Sequence, residues 1–448
     1  MKMKNLIKLI LILIITLQFV GCENKEDITV FDQNATERLN TRTKELSDIL
    51  LSSEYGWKAV YFTDSTQLGG FTHLFKFKDL KNVDMASDFD EDTSISSSEY
   101  KLELGSTVSL LFTTRNRIHL LSDSDNYPTA ELRGQGYKGD FQFLYYGQEN
   151  GEIIFRTNRS FEELRFVKAT AQDWGDLAKN TTIRANLTGT IDSSLFKFLE
   201  TNDGNTIEKF DFNYDVPSRF ADATPIDVSS DETKSFAIAY TPTGIIVKPA
   251  LTVNGQKLSV FTYDSETKNF VATGTGGVSA IIGSTNIPPL LTDDYKDLLS
   301  GNPETGFGYI AEYLEGASSN SPLFESIINE INAGLPPGVA IDRVQFIFND
   351  GPFNYVAYTF TGGKKAILHL FTTTEDEINK AIIFTPGAWQ ENGKTIAAPA
   401  FLKNLDDQIM NSSGLYVKKE NFNIAFSNDI YTFTSTTTPF RITTYSFQ

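Results

Sequence analysis

The chain has 448 residues, a formal net charge of −18 and a single cysteine. That charge argues against a nucleic-acid partner, since phosphates are met by Lys and Arg, and a lone cysteine excludes an internal disulfide. A chain of this length can bury an ample core unaided, two or three domains are expected, and the 35 Phe and 18 Tyr lean the composition toward strands.

Lys2, Lys4 and Lys8 open the chain, an aliphatic run from Leu9 to Leu17 follows, and small Gly21 precedes Cys22. A spanning helix needs about 20 apolar residues, so this shorter run predicts a secretory signal over residues 1–21. With Cys22 at the cut, the stretch resembles a lipobox, Phe19 standing where Leu is usual. Cys22 is then the lipidated residue, and acyl chains contributing about 0.8 kcal/mol per CH2 hold the protein on a membrane. The plain alternative is a buried thiol. Loss of the three lysines moves the charge from −18 to −21, which suits solubility and repulsion from anionic surfaces. Residues 22–30 read as an acidic tether. Within it, Lys25, Glu26 and Asp27 resemble the Lys-plus-two-acids signal that sends Bacteroidetes lipoproteins to the outer face of the outer membrane, although a solvated linker has the same composition.

Residues 31–170 form the first predicted module. A helix is predicted over 34–53, capped by Asn34 with Glu37 three residues on, its stripe being Leu39, Leu46, Ile49 and Leu50. Gly56-Trp57 ends it. In "FTHLFKFK", Phe71, His73, Phe75 and Phe77 face one way and Thr72, Leu74, Lys76 and Lys78 the other. "YKLEL", "VSLLFTT", "RIHLLS", "DFQFLYY", "EIIFRT" and "LRFVKA" follow as short strands, which indicates an antiparallel meander, sandwich or barrel rather than βαβ units.

Residues 171–448 form a second β-rich region with helices and a possible subdivision near 286–305. Helical character is predicted around "DWGDLA" and "SLFKFLE". "KFDFNYD" is a strand, and "SFAIAYTPTGIIVKPALTVNG" and "KLSVFTYDSETKNFVATG" are hairpins. From Leu291 to Gly334 the chain reads as mostly helical, with Ser321-Pro322 as a start, Leu323, Phe324, Ile327, Ile328 and Ile331 as a stripe, and Gly334 as a stop. "RVQFIFND", "NYVAYTFTGGKKAILHLF", a helix near Leu402 to Met410, "FNIAF", "IYTFTST" and "RITTYSF" close the chain. "LLFTTRNRIHLL", "AIAYTPTGIIVKPAL" and "AYTFTGGKKAILHLF" echo one another, either by duplication or because amphipathic hairpins look alike. The fold class expected is β-rich α+β: an amino-terminal helix packed on an antiparallel β-barrel or curved meander, then the second β-rich region.

Chemistry is sparse. Gly134 to Gly139 matches G-x-G-x-x-G, but a strand follows where a dinucleotide site needs a helix. His73, His119 and His369 all sit in strand-like contexts, and no H-E-x-x-H or G-x-S-x-G occurs. Asp88, Asp90, Asp92 and Glu99 fall at positions 1, 3, 5 and 12 of a calcium-type loop, with Thr93 where Gly is needed; a solvated acidic loop is the alternative. Trp57, Tyr137, Trp174 and Trp389 are candidates for an aromatic platform under sugar rings, against the plainer role of core packing. Among 57 acidic residues any pair is possible for glycoside cleavage and none is specific, so none is singled out.

Gly56-Trp57, the Gly69-Gly70 turn, "VDMASD", "FTTRNRIH" and "GQGYKGDFQF" occur in this order. The series resembles the domain-of-unknown-function family 4302 of Bacteroidetes lipoproteins, over roughly the first 170 residues and, in general layout, as far as "LYVKKENFNIAFSNDIYTF". The resemblance implies a surface lipoprotein near SusC/SusD-like uptake systems and brings no catalytic residue. The expectation is therefore a non-catalytic outer-membrane lipoprotein, exposed at the cell surface and accessory to binding or uptake of a glycan or peptide. The alternatives are a surface glycoside hydrolase and a structural or adhesive protein.

Overall fold

A computed structural model describes residues 35–226 and 232–447. Helix α1 (Ala35–Leu51) leads into eight strands: β1 (Trp57–Phe62), β2 (Gly70–Phe77), β3 (Asn82–Ser87), β4 (Ser96–Leu104), β5 (Val108–Phe112), β6 (Gln142–Glu149), β7 (Glu152–Thr157) and β8 (Glu163–Lys168). Each pairs antiparallel with the next, and Trp57 opposite Lys168 closes the ring into a barrel. Phe75, Phe112, Phe143, Phe155 and Phe166 fill it. Leu46 and Leu50 of α1 share that core, and the Tyr145 hydroxyl donates to Glu45 at 2.7 Å.

Two short helices, α2 (Ala171–Asp176) and α3 (Lys179–Thr188), lead to the second barrel. It comprises β9 (Phe196–Asp203), β10 (Ile207–Asp215), β11 (Phe220–Pro225), β12 (Lys234–Thr241), β13 (Gly244–Val253), β14 (Gln256–Asp264), β15 (Asn269–Thr273) and β16 (Val278–Thr285). β16 returns to β9 along its whole length, Val278 opposite Asp203 through Thr285 opposite Phe196. The predicted helical character of "SLFKFLE" is thus corrected to the strand that closes this barrel: the apolar spacing suits a helix, but pairing on both edges decides the outcome.

The third sheet contains β17 (Thr305–Ile310), then α4 (Ala311–Leu314) and α5 (Pro322–Gly334), then β18 (Ile341–Asp350), β19 (Phe353–Phe360), β20 (Ile367–Asp376), β21 (Ala381–Glu391), β22 (Lys394–Ile396), α6 (Lys403–Ile409), β23 (Leu415–Lys419), β24 (Ile430–Ser435) and β25 (Arg441–Phe447). The spatial order is β20-β19-β18-β17-β25-β24-β23-β21-β22, and a further β20–β21 pairing closes it upon itself with β22 as an appendage. Phe346, Phe348, Phe384 and Phe433 form its centre, covered by Phe324, Ile327, Ile328 and Ile331 of α5. Ser321 caps α5, accepting from the Phe324 N–H at 3.1 Å. The architecture is β-rich and built from closed antiparallel barrels, with no helix among the described residues long and apolar enough to cross a membrane.

Three further local expectations are corrected. "RIHLL" is a 3-10 helix over Arg117–Leu121, because the Asn116 Oδ1 accepts from the Arg117 N–H at 2.7 Å while the Asn116 N–H donates to His119 Nδ1 at 3.1 Å. The span read as helical from Leu291 contains strand β17, whose "TGFGYI" packs between β18 and β25. "FNIAF" is a loop whose Ala425 N–H donates to the Tyr445 hydroxyl at 3.0 Å. The first "hairpin" of the internal echo therefore runs from a strand into a 3-10 helix, while the other two are the β12–β13 and β19–β20 pairs.

Both faces of β2 are buried from Gly70 to Phe75 because its outer side lies against β12 of the second barrel. Gly69-Gly70 is not the turn itself. A Cβ on Gly69 would lie 2.5 Å from the Ile238 carbonyl oxygen, and one on Gly70 would lie 2.8 Å from Ala239 Cβ, so the two barrels approach at a distance only glycine permits.

Candidate functional site

Each barrel interior is filled by its own aromatic and aliphatic core, as expected for rings of about eight strands. Ligand space therefore has to lie outside them. A cleft of about 720 Å³ opens between the second and third barrels, within the range of small-molecule sites. One wall is Phe196 and Lys197 of β9 with Asp211 to Tyr214 of β10; the opposite wall is Tyr416 and Lys418 of β23, Thr432 and Thr434 of β24, and Arg441 of β25. Strand alternation explains the second wall: Leu415, Val417, Phe433 and Ile442 point into the core, which turns their neighbours outward. Pro288 to Leu290 and the Phe422 loop border the opening.

The charges in the cleft are unevenly matched. Lys418 pairs with Glu420 at 3.0 Å, and Glu420 also accepts from the Thr432 hydroxyl at 2.8 Å. Burial raises the Asp211 carboxyl above its usual range, an effect that Lys418 opposes. Lys197 donates to the Leu187 and Thr188 carbonyls at the end of α3, Thr188 at 2.7 Å, and burial pushes its ammonium down to about 8. Arg441 donates through Nε–H to the Ser319 carbonyl and lies 5.7 Å from the Phe196 ring centre; burial lowers it, although Glu420 acts in the other direction.

The residues singled out from sequence lie elsewhere. Trp57 is in the first core, its indole N–H donating to the Leu50 carbonyl at 3.0 Å. Tyr137 packs edge-on against Phe71 and Phe89 at 5.4 and 5.1 Å. Trp174 donates to the Tyr55 carbonyl at 2.8 Å and borders a small hollow with Lys76, Asp84 and Ile95. Trp389 stacks 4.0 Å from His369, whose Nδ1 meets Asp406 at 2.8 Å. The four rings are not brought together into one platform.

Nor are the four acids of the calcium-type loop gathered. Asp88 is buried against Arg219 at 3.2 Å, Asp90 is held by Arg117 at 2.9 Å, Asp92 is also held by Arg117, and Glu99 pairs with Lys81 at 2.8 Å. Among the described residues no group of three or more His, Cys, Asp or Glu is placed to hold a metal ion. Gly134 to Gly139 is a turn with Gly134 and Gly136 at positive φ, leading into β6. Cys22, Lys25, Glu26, Asp27 and the Asn34 cap lie outside the described residues.

The cleft residues carried no signal in the sequence. Its two walls are contributed by segments some 200 positions apart, and single Lys, Arg and Asp residues on strands have no spacing to betray them. Tyr416, Lys418, Glu420 and Phe422 fall inside "LYVKKENFNIAF", and Phe196, Lys197, Asp211, Thr432, Thr434 and Arg441 fall inside "SLFKFLE", "KFDFNYD", "IYTFTST" and "RITTYSF", stretches legible only as secondary structure.

The fold defines the class, a multi-barrel antiparallel β protein with a cleft between barrels. The chain belongs to the family described as domain of unknown function (DUF4302), whose model matches residues 27–265. The match ends inside the second barrel, so the third barrel and one wall of the cleft lie beyond it. No curated protein matches the chain. Two solved structures overlap it loosely: one described as "Caulobacter crescentus pol III beta" (9% identity, 89% of this chain and 92% of that one, TM-score 0.15) and one as "Crystal structure of DNA polymerase sliding clamp from Bacillus subtilis" (11% identity, 92% and 97%, TM-score 0.15). Overlap this loose supports no statement about fold or function.

Proposed function

We propose that this protein is a surface-anchored lipoprotein of the Bacteroidetes type, held to the outer membrane through Cys22, that binds a glycan or peptide without transforming it and serves a SusC/SusD-like uptake system. The first barrel and its helix then act as the stalk, and the cleft between the second and third barrels is the binding site. The observation that carries this reading is the composition of the cleft: Phe196, Tyr416 and Phe422 offer ring faces, and Lys197, Asp211, Lys418 and Arg441 offer polar groups, all in one concave space. Two measurements test it. Membrane fractionation with mass analysis of the processed protein is expected to find a mature chain starting at a lipidated Cys22. Glycan and peptide arrays are expected to give a signal that Tyr416→Ala abolishes. An unprocessed amino terminus defeats the anchor, and silent arrays defeat the binding role.

The second reading is a surface glycoside hydrolase. It is favoured by one observation, that Asp211 and Glu420 line the same cleft, the former with its carboxyl raised by burial as a general acid requires. Release of reducing ends by the wild-type protein, lost in Asp211→Asn, would establish it in place of simple binding.

A further inference from the structure

The half-buried cations of this chain are, with few exceptions, matched. Arg219 has Asp88, Arg117 has Asp90 and Asp92, Arg184 has Glu91 at 2.8 Å, and Lys58 has Asp173. In a protein with a net charge of −18 this is the expected condition, because a cation withdrawn from water costs free energy unless a counter-charge is near. Arg42, Arg156 and Lys364 lie over aromatic rings instead of a carboxylate, outside the cleft; Lys197 and Arg441 also depart from it. Among the described residues neither has a carboxylate within ion-pair distance: Lys197 reaches only two carbonyls and Arg441 only one. An ammonium has three donors and a guanidinium five, so most of the donors of Arg441 have no protein acceptor. Both side chains line the same cleft.

The carboxylates that share the space do not supply the missing charge. Glu420 is engaged by Lys418 and Thr432. The Asp211 carboxylate makes no hydrogen bond or ion pair among the described residues, and the charge acting on it is that of Lys418. Three cations and two carboxylates thus line the cleft, an excess of positive charge inside a strongly acidic protein.

Resting on the binding role proposed above, we infer that the cleft takes an acidic oligosaccharide, with a carboxylate on a sugar ring received by Arg441 and Lys197. A planar guanidinium with free N–H groups matches a carboxylate in a two-pronged fashion. The Phe196 ring beneath Arg441, and Phe422 at the rim with 39% of its surface exposed, present flat apolar faces to the C–H side of a pyranose. Capping of α3 explains why Lys197 points where it does, but it employs only two of the three donors and leaves Arg441 unexplained.

The test is calorimetry on the full-length protein in detergent at low salt. The probes are trigalacturonate, an alginate trimer and a hyaluronan tetrasaccharide, each beside a neutral oligosaccharide of equal length, plus a sulfated oligosaccharide and an acidic peptide. At least one uronate is expected to bind about tenfold or more tighter than its neutral counterpart, and Arg441→Gln is expected to remove most of that margin. Arg441→Lys, which keeps the charge and loses the fork, should fall between the two. Lys197→Met should weaken uronates and spare neutral sugars, whereas Phe422→Ala should weaken both. A thermal melt of each variant separates lost binding from lost fold, and Arg441→Lys serves if Arg441→Gln does not fold. Equal or tighter binding of neutral sugars, or binding of only the sulfated sugar or only the peptide, overturns the uronate assignment and leaves the binding role standing. Absence of binding by every probe overturns both.

Discussion

The two junctions between barrels are built on opposite principles. Where the first barrel meets the second, charge is buried and each charge has its counter-charge in place. Arg219 donates to the Gly70 carbonyl at 2.9 Å, to the Asp88 and Phe89 carbonyls and to the Asp88 carboxylate, and it is held between the rings of Phe71 and Tyr240 at 4.1 and 4.6 Å. Asp88 in turn accepts from the Thr72 N–H and the Asn180 amide, both at 2.8 Å. Where the second barrel meets the third, no hydrogen bond joins strands β9–β16 to strands β17–β25 among the described residues, and Arg441 reaches across only to the face of Phe196. A fully matched charge makes a rigid joint. An unmatched one at the edge of a cleft leaves donors for something else.

The largest expected effect comes from breaking the matched joint. Arg219→Met leaves Asp88 buried without its counter-charge, and unfolding by urea should show a loss of about 3–5 kcal/mol. Asp88→Leu combined with Arg219→Met should recover much of it; a double variant as unstable as the single one would show that Arg219 acts by packing instead.

Next is the acid sensitivity of the same region. His73, inside the first barrel, is wholly buried with neither ring nitrogen bonded, and burial followed by the charge of Arg219 pushes it down to about 3. The unfolded chain takes up a proton near 6.5, while the folded chain resists until about 3. Stability from this group is therefore fully present above 6.5 and is lost as pH falls toward 3, by about 1.4 kcal/mol per unit. His73→Phe should flatten that slope between pH 6 and 4. Parallel melting curves for the two proteins would contradict the assignment.

On the side of the open cleft, Ser321→Ala removes an oxygen that accepts both the Phe324 N–H and, at 2.9 Å, the Arg441 N–H. A cost of about 1–2 kcal/mol is expected in thermal unfolding, with a drop in ligand affinity because it sets the backbone of Arg441. Unchanged affinity would mean that β25 keeps its place without the cap. The smallest effect expected is that of EDTA. The acids from Asp88 to Glu99 are held by Arg219, Arg117 and Lys81, so the melting temperature should not move. A clear downward shift would restore the calcium reading.

The sequence by itself determined the strands with clear alternation, such as β2, β10 and the β12–β13 and β19–β20 hairpins, and α5 with its Ser321 cap. These depend on neighbours two to four residues apart, within reach of periodicity and capping. It could not determine that "SLFKFLE" is a strand or that "RIHLL" is not, since one was decided by β10 and β16 and the other by the reciprocal bonds of Asn116 and His119. Tertiary structure alone showed that Gly69-Gly70 and Asp88 meet Arg219 from a position some 130 residues away, and that Lys197 and Arg441 share a cleft. Those arrangements rest on long-range packing, where what matters is which charges are left without a partner once all the barrels have closed. No local pattern of residues records that.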